Sequence, residues 1–363
     1  MVQSKNNQRT SLVTSIAWLV ALLGVSFAQS AFAVEPQQLD SKSFLTRAVF
    51  FDGELWVLSD SGQLFRIKEG NDVPVEQELS EPAGDMCLLD GRPAVITCRS
   101  KDCDNWTLRR WVDNKWSVEV TLRKQREALV ALSCDTPTPL LLTSRRLVEL
   151  DKPKPRSLRI PGNLESGLVA SVYATPDRVF VGINAGEWGG GLRYIDRRTG
   201  KVTALQSNTK GELCGGPLNA DCDPVNGIAG SPWRARCVVA AVGLVHFSPH
   251  GRLVEVCGNR IRRLYFKSFG DEPQTSSRRG KNEPSETVAF FGLVREGERL
   301  WAAGIDGIYK AEGGKVELST PLPSFKKVGP FHVSFSLPRL VLVLTNVNKR
   351  ASISGSVPML VPR

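Results

Sequence analysis

The sequence predicts an all-β fold: a single β-propeller, with seven four-stranded blades as the leading count. Three observations carry this. Beyond the first 33 residues helical periodicity is nearly absent, and short apolar runs alternate with turn residues such as Gly, Pro, Asn and Asp. These runs recur as a weakly repeated unit, seven times at a spacing of about 47 residues, which is the range of propeller blades. Each unit has room for about four strands, the number a blade needs. Six blades, or two stacked β-sandwiches, use the same strands. No Pro-, Ser- or Gly-rich linker divides the chain, which weighs against the sandwiches.

The clearest unit runs from Leu293 to Leu318, LVREGERLWAAGIDGIYKAEGGKVEL, and reads as four strands joined by three turns. The same order appears from Ala48 to Lys68 and from Ser171 to Leu205. Looser copies begin after Met86, Val130, Asn226 and Phe331. Trp56, Phe180 and Trp301 fall at matching places in the second strand, where a large aromatic packs between neighbouring blades. The run Leu340 to Leu344 contains only Leu and Val and suits a strand buried on both faces. Residues Leu39 to Leu45 are expected to add a strand to the last blade and so cover its edge.

LWAAGIDGIYK, with GGGLRYIDRRTGKV as a longer-looped version, resembles the blades of bacterial sensor-type propellers, those of the two-component-regulator kind. The resemblance covers two or three units well. It implies a secreted bacterial propeller that recognises something, without supplying the ligand. The chain departs from such sensors in showing no transmembrane helix and no signalling segment.

The first 33 residues have a different character. Met1 to Ser11 is polar and carries Lys5 and Arg9; Leu12 to Phe27 is apolar; Ala31 and Ala33 flank Phe32. That order predicts a signal peptide over 1–33, cleaved after Ala33, followed by a propeller domain over 34–363. The apolar run of 16 residues falls short of the ~20 that span a bilayer. The expected destination is the periplasm or the extracellular space.

The chain carries a net charge of +10, reduced to +8 when Lys5 and Arg9 are set aside. A basic surface favours acidic partners. All eight cysteines lie beyond Ala33, as expected for disulfides in an oxidising compartment. Short spacings favour Cys98 with Cys103 and Cys214 with Cys222, leaving Cys87 with Cys134 and Cys237 with Cys257 by default. Paired CxxC units, which a zinc site would use, are absent.

Blade order sorts the loops into two sets. One set holds Ser59–Gln63, Arg99–Asp104, Ser144–Arg146, Asn184–Gly190 and Thr345–Lys349, with the long insertions Gln206–Val225 and Ser268–Glu286. Long loops on a rigid scaffold concentrate binding residues. Within this set Trp188 is a candidate binding aromatic, and the glycines around it read as a flexible turn. Asn219, Asp221, Asp223 and Asn226 are oxygen donors of the kind Ca²⁺ takes, although their spacing is not that of an EF-hand. Arg278, Arg279 and Lys281 form a candidate anion-binding loop, and Arg260, Arg262 and Arg263 add a second basic cluster.

No catalytic residues are assigned. Histidines are limited to His246, His250 and His332, and neither a GxSxG elbow nor a phosphate-binding glycine loop occurs. Aromatic residues are not interleaved with the basic ones as nucleic-acid binding would require. The expected function is a monomeric, non-enzymatic binding or scaffold propeller for an unidentified protein or anionic ligand. A propeller lyase or hydrolase acting on a glycan or small molecule, and a structural envelope protein, are the alternatives.

Overall fold

The computed structural model describes residues 45–363 apart from 69, 71–73, 99–102, 152–153, 163, 208–215, 246–248, 269–285, 323–330 and 348–354. The signal-peptide expectation for 1–33 and residues 39–44 of the expected closing strand lie outside the described residues. Leu45 itself opens the first strand.

Seven antiparallel sheets follow one another along the chain, each hydrogen-bonded in chain order. Blade 1 runs from the strand Leu45–Phe51 to the strand Val75–Glu76, and blade 2 from Ala83–Leu89 to Lys115–Arg123. Blade 3 runs from Leu129–Ser133 to Arg156–Arg159, and blade 4 from Val169–Ala174 to Val202–Leu205. Blade 5 runs from Val225–Gly230 to Arg260–Tyr265, blade 6 from Phe290–Glu296 to Lys315–Pro321, and blade 7 from Phe331–Ser334 to Gly355–Pro362. Six sheets have four strands; the seventh has three among the described residues. This is a seven-bladed β-propeller, and the six-blade and sandwich readings fall away.

Contacts divide the chain into two compact units: residues up to Glu78 with Lys327–Pro362, and Leu79–Lys326 with Arg363. In the first unit Ser334 Oγ donates to the Ala48 carbonyl at 2.8 Å, so the last sheet lies beside the first. Leu45, Ala48, Val57, Phe65, Leu337, Leu342 and Leu344 form the core there. The second unit holds blades 2 to 6, with one apolar cluster in each gap between blades 2 and 3, 3 and 4, and 4 and 5. Trp56, Phe180 and Trp301 are buried in second strands, as their matching positions predict.

Local chemistry explains the hairpins. Asp52-Gly53 and Asp90-Gly91 join first to second strands, and all four residues have φ between 51° and 73°. Two-residue hairpin turns of the type that matches strand twist need positive φ at both positions, which Asp and Gly tolerate. A feature absent from the sequence reading recurs in blades 1 to 6. The pairing of first and second strands slips by one residue near the start of the first strand, bypassing Thr46, Gly84, Val130, Ala170, Asn226 and Phe291 in turn. Such bulges increase local twist.

Cys87 pairs with Cys134, Cys98 with Cys103 and Cys237 with Cys257. The first bond ties the opening strand of blade 2 to the end of the opening strand of blade 3. Its separation of 47 residues is one repeat of the fold. Cys222 is also disulfide-bonded, while Cys214, its expected partner, lies outside the described residues.

Candidate functional site

Blades 4 and 5 build the most distinctive surface in the second unit. The strand Arg178–Asn184 ends in a single 3₁₀ turn, Gly186–Trp188, before the strand Gly190–Asp196 returns. Asn184 Oδ1 accepts the Gly186 N–H at 2.8 Å, and Ala185 N–H donates to the Gly189 carbonyl at 2.9 Å. The tip is thereby closed on itself. Trp188 sits on it with 82% of its surface exposed, against 39–54% for the other exposed large apolar residues, Val75, Val118 and Leu318.

A second loop braces this tip from behind. Gly190 N–H donates to the Ala220 carbonyl at 2.9 Å and Gly191 N–H to the Asp223 carbonyl at 2.7 Å. The backbone approach is so close that a Cβ on Gly189 would lie 2.4 Å from the Asp221 oxygen, and one on Gly190 would lie 2.1 Å from the Ile183 oxygen. With φ of 92° and 152°, both positions also disfavour any other residue. The glycine run is therefore a packing requirement, which corrects its reading as a flexible turn. Gly190→Ala is expected to destabilise this region by about 1–3 kcal/mol. Thermal melts and limited proteolysis at residues 185–190 check it; an unchanged melting temperature and cleavage pattern would contradict it.

The bracing loop is itself held. Asp223 is 1% exposed, and its Oδ2 accepts the Asn219 N–H at 2.6 Å and Arg252 Nη2 at 2.5 Å. Arg252 Nε donates to the Pro217 carbonyl at 2.7 Å, and His250 Nε2 lies 3.4 Å from the Cys222 carbonyl. Asn219 Oδ1 accepts the Asp221 N–H at 2.9 Å.

These contacts redirect the calcium expectation. Asn226 is the bulged residue of blade 5, and its Nδ2 donates to the carbonyls of Gly243 (2.7 Å) and Phe290 (2.9 Å) while its Oδ1 accepts from Asn184. It thus links blades 4, 5 and 6. Asp223 is paired with a guanidinium, and Asn219 caps a turn. Among the described residues no group of three His, Cys, Asp or Glu side chains is placed to hold a metal. Only Asp221 of the four is exposed, and its backbone carbonyl lies against Gly189, the residue after Trp188.

The other candidates separate. Arg278, Arg279 and Lys281 lie outside the described residues. Arg262 donates from Nε to the fully buried Glu255 carboxylate at 2.7 Å, and that carboxylate also accepts from Ser231 and Trp233. Arg263 lies over the Phe266 ring at 4.1 Å. His332 is driven down to about 4, first by burial and then by the Arg47 charge beside it, so it is neutral at physiological pH. His246 lies outside the described residues.

No protein-family model matches the chain, and no curated protein matches it. Solved structures do. The chain is similar to U3-55K, at 10% identity over 89% of this chain and 99% of that one, with a TM-score of 0.51. It is similar to the computationally designed Ika8 protein, at 11% identity over 84% and 81%, with the same TM-score. It also resembles the extracellular domain of BT4673 from B. thetaiotaomicron, at 12% identity and a TM-score of 0.48, covering 89% of this chain and 38% of that one. At these identities the likenesses to U3-55K and Ika8 show the fold alone. No helix among the described residues is long and apolar enough to cross a membrane.

Proposed function

We propose that the chain is an exported, non-enzymatic binding or scaffold propeller that recognises a partner protein through the platform carrying Trp188. The observation that carries this reading is the combination of exposure and rigidity. A tryptophan 82% exposed contributes nothing to the core, yet the loop beneath it is fixed by hydrogen bonds, close glycine contacts and a buried ion pair. Aromatic side chains dominate the energetics of protein interfaces. A contact surface ordered before binding also loses less entropy when it docks.

Export rests on the charged, apolar, small-x-small order of residues 1–33 and is supported by the absence of free cysteines among the described residues. The test is capture of a partner from the periplasm or medium of the producing cell. Wild-type protein is expected to retain a discrete partner, and Trp188→Ala of equal melting temperature is expected to lose it. Retention by both proteins alike would overturn the assignment.

A further inference from the structure

A cleft of about 440 Å³ opens between blades 4 and 5, at the end of these two sheets away from Trp188. Its walls are the turn Thr175–Arg178 of blade 4 and the segment Ala235–Cys237 of blade 5, with Arg295 of blade 6 at its edge. Phe180, 4% exposed, and Tyr173 supply apolar surface. Gly230 makes room for the latter: a Cβ there would lie 2.6 Å from the Tyr173 hydroxyl.

We propose that this cleft binds a small organic dianion, a compact apolar body carrying two carboxylates or a phosphate monoester. Arg178, Arg236 and Arg295 line it with one lining acid, Asp177, while the charge of Asp135 reaches the Tyr173 hydroxyl from outside the lining. The three guanidinium groups are poorly neutralised. Arg178 stacks on the Tyr194 ring at 4.4 Å and has Asp177 only at 3.7 Å. Arg295 donates to the carbonyls of Gly297 (2.9 Å) and Ser231 (3.4 Å), which orient it without cancelling its charge; the acid beside it, Glu298, is 3.8 Å away and 79% exposed. Arg236 makes no ion pair among the described residues. Its backbone is left-handed at φ 64°, a conformation uncommon for a side chain other than Gly, Asn or Asp. Strained backbone of this kind clusters at ligand sites.

The comparable gap between blades 2 and 3 shows that such charge is not a property of the repeat. That cleft, about 220 Å³, is lined by Asp90, Glu119 and Asp151 with one arginine, Arg110, already paired to Glu119 at 2.9 Å and Asp90 at 3.0 Å. Guanidinium forks match carboxylate and phosphate alike. Burial holds the Tyr173 phenol above its ordinary range, so at neutral pH it adds no negative charge to the site.

Isothermal titration of the mature protein with phthalate and phenyl phosphate tests the proposal, with benzamide and benzylamine as neutral and cationic controls. Either dianion is expected to bind, the tighter one assigning the carboxylate or the phosphate source. Benzamide and benzylamine are expected not to bind. Arg236→Gln, on an exposed loop, is expected to weaken binding by at least about tenfold, and Arg178→Gln similarly; Trp188→Ala is expected to leave it unchanged. No binding of either dianion, equal binding of benzamide, or an unchanged affinity in folded Arg236→Gln would overturn the proposal. None of these results bears on the Trp188 platform.

Discussion

Glu127→Ala is expected to cost about 3–5 kcal/mol of stability, the usual effect of removing one partner from a buried ion pair. The Glu127 side chain is fully buried, and Arg146 is only 12% exposed. One carboxylate accepts from five groups: Trp106 Nε1 at 3.2 Å, Thr143 Oγ1 at 2.8 Å, Arg146 Nε at 2.9 Å, Arg146 Nη2 and, more weakly, the Gln125 N–H at 3.4 Å. The side-chain donors belong to three strands, Asn105–Val112 of blade 2 and Leu140–Thr143 and Arg146–Glu149 of blade 3. Removing the acid leaves the Trp106 indole N–H without its acceptor and the Arg146 guanidinium without its counter-charge, with only the Arg123 carbonyl at 3.2 Å still accepting from it among the described residues. The melting temperature should fall on the order of 5 °C.

The pH dependence of that difference has a definite sign. Burial raises the Glu127 carboxyl, but the hydrogen bonds from Arg146, Thr143 and Trp106 outweigh it and leave the carboxyl below its ordinary value of 4.5. A depressed folded-state value means the contribution is complete above 4.5. It is drawn down below that and lost once the pH falls beneath the folded-state value. Melting curves of wild type and Glu127→Ala should therefore differ by a constant amount from pH 8 to 5 and converge in stronger acid. A difference that widens in acid would contradict the role given to the pair.

Trp188→Ala is expected to have the opposite profile: little change in stability and a large loss of binding. Truncating an interface tryptophan costs about 2–4 kcal/mol, or roughly 30- to 1000-fold in Kd. Its exposure implies that the folded chain alone loses almost no buried area, so the melting temperature should move by no more than about 1 °C. Affinity measured by titration against the captured partner, beside a melt of the same sample, checks both halves. A stability loss comparable to that of Glu127→Ala would mean that Trp188 packs in the fold.

The blades were legible because their strands alternate and their turns carry residues with tolerated positive φ, as at Asp52-Gly53. The recurring bulges were not, since a one-residue slip near a strand end leaves the apolar pattern nearly intact. The Cys87–Cys134 bond had a readable sign that default pairing did not use: its spacing of 47 residues matches the repeat, placing both cysteines near corresponding positions of adjacent blades. Asp223 and Asn226 resembled metal ligands because their partners, Arg252 and the Phe290 carbonyl, arrive from distant segments. The exposure of Trp188 was anticipated, but the reason for GEWGGG was not: Ala220 and Asp221 press on it from a loop some 30 residues later. Arg178, Arg236 and Arg295 lie in three different blades, so no linear window shows them as a cluster.

Recognition through the Trp188 platform is tested most directly by site-specific photo-cross-linking in the producing cell. A photoreactive residue replaces Glu187, exposed beside Trp188, and in a second strain replaces Val118, which is 54% exposed on the outer strand of blade 2. The expected result is one discrete adduct from position 187 that is absent from position 118 and disappears when Trp188→Ala is added. No adduct at 187, or the same adduct from both positions, would contradict it.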